Sequence, residues 1–246
     1  VMNFTADAPG ANDDASGVAA VLEAARVLSK HSFDATLVFA ALSGEEQGLL
    51  GGKILADYAQ AQGWRVEANL NNDIVGNSEG QSGVRDTTRV RVFSEGTKTV
   101  ETEAQEERRR YNGGEVDSSS RNLARFVDGL ADRYLANFDV EMIYRTDRYG
   151  RGGDQVEMLR HGFPAVRISE GAENYDRQHQ DLRTENGVEY GDTIEGVDFD
   201  YLGQVARLNI VAMAALANAP ASPLGVTIEG AVKPDTTVKW QAVPGA

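Results

Sequence analysis

The chain has 246 residues, with 24 Lys and Arg against 38 Asp and Glu, a formal charge of −14. A hydrophobic fraction of 41% beside 25% charged residues excludes wholesale disorder, and the acidity excludes nucleic acid as a main partner, because phosphate binding requires a basic face. No apolar run approaches the roughly 20 residues that span a bilayer, and zero cysteines exclude disulfides, thiolate-ligated zinc and a cysteine nucleophile.

Residues 15–31 put Val18, Val21, Leu22, Ala25 and Leu28 on one face at helical spacing. Residues 35–42 (ATLVFAAL) form a short continuous apolar run, the pattern of a strand buried on both faces. A helix is expected over 49–63, a strand over 66–76 and an alternating strand over 89–95. The charged stretch 96–117 reads as an exposed excursion, with the Glu-Glu-Arg-Arg-Arg run at 106–110 on a solvated helix face. A serine-capped helix at 118–138 leads into a strand at 139–147. A helical turn around Gln155–Arg160, a strand at 164–170 and a long closing helix at 200–218 follow. This alternation predicts an α/β layered fold with a largely parallel sheet. Residues 219–223 are a linker by composition, and 224–246 read as two strands around a turn. That last segment resembles the first hairpin of a fibronectin type III-like sandwich, with Trp240 as the core tryptophan; a C-terminal β-extension packed on the main domain is the alternative.

Open α/β sheets carry their sites at the carboxyl ends of strands, and acidic clusters stand there. PGANDDASG (9–17) precedes the first helix, where an Asp pair serves equally well as a cap. SGEEQG (43–48) follows the apolar run 35–42, and two adjacent glutamates at such a position repel unless a cation is present. Asp73 ends the strand in NLNNDIVG, and His179 sits in ENYDRQHQD after the strand at 164–170. Carboxylate oxygens with an imidazole nitrogen suit zinc, with cobalt and manganese as substitutes. A glutamate beside a ligand glutamate can take a proton from water without binding metal itself.

PGANDDASGVAAVLEAARVL, LVFAALSGEEQGLLG, NLNNDIVGN, GFPAVRISE and a late histidine together resemble the co-catalytic zinc aminopeptidase family. That family includes bacterial leucyl aminopeptidases, glutaminyl cyclases and transferrin-receptor-like ectodomains. The resemblance spans residues 1 to about 217 and implies a three-layer α/β/α fold with a mostly parallel mixed central sheet, over a catalytic domain at 1–218. It implies that Asp13 bridges two metals, that Glu46 and His179 ligate one zinc, and that Asp73 ligates the other. Glu45 would be the general base, Asp14 a supporting or structural acid, and Asp154 a support for the site from behind. Where the family usually follows that last Asp with His, this chain has Gln155.

The family also carries a His-x-Asp motif shortly before the Pro-Gly-Ala segment, and its His ligates the zinc that Asp73 binds. The chain starts at Val1, so an N-terminally incomplete catalytic domain is expected, with one tight zinc and one weak position. Of the three histidines, His31 and His161 read as structural. Arg151 and Arg167 could meet a substrate carboxylate, although Arg167, inside PAVRISE, reads better as the partner of a nearby acid. The resemblance implies a metal-dependent exopeptidase acting on N-terminal residues of peptides. Its alternatives are a glutaminyl cyclase-like acyl transfer on a single zinc and a non-catalytic receptor-type ectodomain. A secreted or periplasmic setting is expected.

Overall fold

A computed structural model describes residues 6–244. Val1 and the last two residues of the 224–246 segment lie outside the described residues. In chain order the elements are α1 (Ala15–Leu28), α2 (Leu50–Ala61), β1 (Asn69–Asn72), β2 (Arg89–Phe93), α3 (Glu103–Asn112), α4 (Ser119–Tyr134) and β3 (Asp139–Ile143). There follow α5 (Gln155–Arg160), β4 (Ala165–Glu170), β5 (Arg183–Glu185), β6 (Val188–Tyr190), α6 (Phe199–Ala217), β7 (Thr227–Glu229) and β8 (Thr237–Lys239).

The central sheet has the order β1-β4-β2-β3. Strands β1 and β4 run parallel, as do β2 and β3, while β2 and β4 are antiparallel, so the sheet is mixed and mostly parallel. Strand β4 is buried along its whole length, and its alternation divides the molecule into layers. Val166 and Ile168 join Val90 and Val92 in the larger core, against α1, α4 and α6. Ala165 belongs to a second cluster with Ala56 of α2 and Met158 and Leu159 of α5. Three α/β/α layers result.

Helix α1 buries a different face from the one its periodicity suggests. Ser16, Gly17, Ala20, Ala24 and Leu28 face inward, while Leu22 is 64% exposed. Small residues win because the helix start lies close against β1: a Cβ on Gly17 would stand 2.4 Å from the Asn72 carbonyl oxygen.

The run 35–42 is not a strand, which corrects the sequence expectation. Ala35 donates to the Ala217 carbonyl at 2.9 Å, but residues 36–42 make no backbone–backbone hydrogen bond to another described residue. None of them is buried, although the composition is that of a core strand. A strand of that kind needs a ladder neighbour. The free edge of β1, which is an edge strand of the sheet, stands across a cleft of about 850 Å³ that both segments line.

Two elements go beyond the sequence reading. Within the exposed 96–117 excursion, α3 forms with no buried residue and starts from a capping box between Thr102 and Gln105. The β5–β6 hairpin turns at Asn186-Gly187, both at positive φ, as a type I′ turn demands. Strands β7 and β8 pair antiparallel as expected, but all their residues are exposed. Trp240, read from the sequence as a core residue, is 58% exposed. Among the described residues no helix is long and apolar enough to cross a membrane.

Candidate metal centre

Three side chains from distant parts of the chain converge. His179 Nε2 lies 2.9 Å from Asp13 Oδ2 and 3.0 Å from Glu46 Oε1. One ligand atom from each lies within 4.8 Å of the others. Arg151 Nη2 also approaches that same Nε2, at 3.0 Å. A neutral imidazole nitrogen carries either one proton or one lone pair, so it cannot satisfy two acceptors and a donor together. A divalent cation among the three groups would resolve the conflict, and the donor set of two carboxylates and an imidazole fits zinc chemistry.

Each group is held by its local structure. Asp13 stands just ahead of α1, and its backbone N–H donates to Asp192 Oδ2 at 2.7 Å. Its neighbour Asn12 is buried, accepting from Gly76 N at 2.7 Å and donating to Glu170 at 2.8 Å. Glu45 and Glu46 occupy a tight turn, closed by bonds from Gly48 N and Leu49 N to the Glu45 carbonyl, that leads into α2. His179 adopts a left-handed conformation at φ 59°, a cost on the order of 1–3 kcal/mol for a non-glycine residue. The buried side chain of Gln178, bonded to Glu173 at 3.0 Å, anchors that loop.

Glu45 lies beside this cluster without joining it. Its half-burial, then the charges of Asp73, Glu46 and Asp154, push its carboxyl up to about 7. Asp14 caps α1 and also accepts from Ile74 N at 3.2 Å, so it ties the helix start to the end of β1. Burial, followed by repulsion from Asp73, holds its pKa well above the carboxylate range. Asp154 accepts from Gly52 N at 3.1 Å, and a side chain at Gly52 would collide with it at 2.4 Å. That contact locks α5 to the start of α2, directly behind the glutamate turn.

Asp73, which the resemblance assigns to the other zinc, stands outside the three converging groups and faces Arg167, with Nη2 2.9 Å from Oδ1. Burial raises its pKa to about 6 against the pull of Arg167. Arg167 is fully buried, and its Nη1 also pairs with Asp147 at 3.1 Å, so the reading of it as the partner of a nearby acid describes its position. Gln155, at the position where the family usually has His, is 1% exposed and donates to Asp147 Oδ2 at 2.8 Å while accepting from Asn71 at 3.1 Å. The substitution thus belongs to a buried chain of contacts running Gln155, Asp147, Arg167, Asp73. His31 is exposed, and His161 bridges Asp57 at 2.8 Å and the Glu157 carbonyl at 2.7 Å, far from any ligand role.

The sequence reading missed the ion network behind the His179 loop. Glu173 is gripped by Arg91 and Arg148, the latter at 2.7 Å. Burial alone would raise its pKa, but the two arginines hold it down to about 2. Its ordinary value is 4.5, so this pairing stabilises the fold above that pH and is lost as pH falls from about 4.5 toward 2. The expected size is on the order of 3 kcal/mol. Glu173→Gln should therefore flatten the acid limb of a melting-temperature-against-pH curve, and an unchanged limb would remove Glu173 from acid unfolding.

An α/β/α layered fold carrying a two-carboxylate, one-imidazole donor set with an adjacent half-buried glutamate defines a metal-dependent hydrolase class of site. Residues 2–207 match peptidase family M28, and the chain belongs to that family. It is 47% identical to a "probable zinc metalloprotease" of Leptosphaeria maculans, over 98% of this chain and 56% of the relative. It is 43% identical to one of Pyricularia oryzae, over 100% of this chain and 50% of that relative. The chain spans about half the length of these curated relatives. Among solved structures it is similar to the LapA aminopeptidase of Legionella pneumophila, with a TM-score of 0.61 and 22% identity over 86% of this chain and 48% of that one. An aminopeptidase from Aneurinibacillus sp. strain AM-1 matches with a TM-score of 0.59 and 22% identity, over 86% and 40%. At those identities the likeness establishes the fold.

Proposed function

We propose that this protein is a zinc-dependent exopeptidase that removes N-terminal residues from peptides. The observation that carries the reading is the meeting of Asp13, Glu46 and His179, with Glu45 beside them and outside the ligand set. Zinc held there would supply Lewis acidity, polarising the scissile carbonyl and acidifying water.

The chain's own groups do the rest. Asp13 Oδ2, Glu46 Oε1 and His179 Nε2 would hold the zinc and so set where a carbonyl is polarised. Glu45 takes a proton from the attacking water as the water oxygen bonds to the carbonyl carbon, and delivers that proton to the amine nitrogen as the C–N bond breaks. Its half-buried setting keeps bulk water from competing for that proton. Asp13, Glu45, Glu46 and Asp73 are among the residues that line the cleft, and the net charge of −14 gives the molecule a negative field. An α-ammonium group fits that field, whereas a blocked terminus forfeits it.

The test compares a leucyl peptide with its N-acetylated form in the presence of zinc. Release of free leucine from the first, with at least about a hundredfold less cleavage of the second, is expected from the loss of one buried charge interaction. Equal cleavage of both would contradict an exopeptidase and point to internal cleavage.

A further inference from the structure

We infer that Arg151 recognises a carboxylate one residue beyond the scissile bond, which makes dipeptides and other substrates with an acid at that point the preferred class. The inference rests on the exopeptidase reading of the same site and names its substrate.

Arg151 stands at the rim of the donor cluster. Its Nη2 lies 3.0 Å from His179 Nε2, and its Nη1 donates to Gln178 Oε1 at 3.4 Å. Among the described residues no carboxylate oxygen comes within 4.0 Å of the guanidinium, although acids exceed bases in this chain by 14. Its neighbours in space differ. Arg148 is buried and paired with Asp147 and Glu173, and Arg167 is buried and paired with Asp73 and Asp147. Those two have acidic partners; among the described residues Arg151 has none.

The backbone beneath Arg151 is nonetheless pinned. Its N–H donates to the Arg148 carbonyl at 3.1 Å, and the following Gly152 carbonyl accepts from Arg167 Nη1 at 3.0 Å. A fixed backbone carrying an uncommitted guanidinium is a preorganised receptor, because little ordering cost remains to be met on binding. His179 Nε2 has a single lone pair. Once that pair is engaged by a cation, it no longer accepts from Arg151, and the planar donor fork is left with only the long bond to Gln178. A carboxylate matches that fork through two parallel hydrogen bonds.

Distance selects which carboxylate. Successive Cα atoms lie about 3.8 Å apart. In a dipeptide the terminal acid therefore lies roughly one residue from the carbonyl drawn to the cluster, within a side chain's swing of Arg151. A longer peptide places a neutral amide there. The acidic groups that line the cleft and the acid-free guanidinium of Arg151 together present opposite charges to the two ends of a zwitterion. An α-carboxylate and the side chain of an aspartate in the leaving position share the same chemistry.

The experiment uses Leu-Gly, Leu-Gly-amide and Leu-Asp-amide with the zinc-loaded protein, reading kcat/KM, and with its Glu45→Gln variant, reading Kd by calorimetry. Leu-Gly should show a kcat/KM at least about tenfold above that of Leu-Gly-amide and a Kd at least about tenfold below it. Arg151→Leu should collapse that ratio toward one, and Arg151→Lys should restore part of it. Leu-Asp-amide behaving like Leu-Gly extends the recognition to side-chain carboxylates; behaving like Leu-Gly-amide, it confines recognition to the C-terminus. Equal handling of acid and amide by the unaltered protein, or an acid preference that survives Arg151→Leu, overturns the inference. Should no peptide be hydrolysed while Kd still shows an acid preference that Arg151→Leu removes, the exopeptidase reading falls and the carboxylate receptor stands.

Discussion

Glu45→Gln should lower kcat for leucyl p-nitroanilide by about 10²–10⁴-fold, the usual contribution of a positioned general base, while leaving zinc content unchanged. The substitution keeps the shape of the side chain and removes its capacity to hold a proton as an anion. Glu45 is not one of the three converging groups, so the cation site keeps Asp13, Glu46 and His179. Its turn is closed by the backbone of Gly48 and Leu49, not by the Glu45 side chain, and the fold should tolerate the change. Steady-state kinetics beside metal analysis of the same sample checks both halves. A kcat within threefold of the parent would remove Glu45 from the reaction, and loss of zinc would move it into the ligand set.

His179→Ala should weaken zinc binding by at least about a hundredfold, since removal of one of three ligands forfeits a sizeable share of a binding free energy that reaches roughly 10 kcal/mol in closed protein sites. His179 supplies the one imidazole, and it sits where Asp13 and Glu46 both point. Without it two carboxylates remain, a donor set that suits hard cations such as magnesium or calcium better than zinc. Competition against a chromophoric chelator reads the change. Retained affinity would mean that another group holds the cation.

The converging residues were legible because their motifs are local. Asp13 and Asp14 sit at a helix start, and Glu45 and Glu46 follow an apolar run, so their types and positions could be read in short windows. The pairing of Asp73 with Arg167 was not legible as geometry, because it joins the carboxyl end of β1 to the middle of β4, 94 residues later in the chain. Only the oddity of an arginine in an otherwise apolar strand hinted at a buried partner. The network of Arg91, Arg148 and Glu173 gave no motif at all, since each acid and base comes from a separate loop or strand.

The fold shows the same division. Strand and helix alternation predicted the layered sheet, and β1 to β4 fall inside the segments assigned to them. The run 35–42 failed because composition reports what a segment can bury, while a strand also requires a neighbour's backbone. Helix α1 failed in its facing because small residues approach a sheet more closely than branched ones, a packing effect that hydrophobic periodicity weighs in the wrong direction. The β5–β6 hairpin and the cap of α3 went unread, although an Asn-Gly pair and a Thr-x-x-Gln spacing are their local signals.

The most direct measurement is a calorimetric zinc titration of the metal-free protein, with bound metal counted per chain. One tight equivalent, held by Asp13, Glu46 and His179, is predicted, and any further zinc should bind much more weakly because Asp73 is engaged with Arg167. A folded protein that takes up no tight zinc would contradict the account.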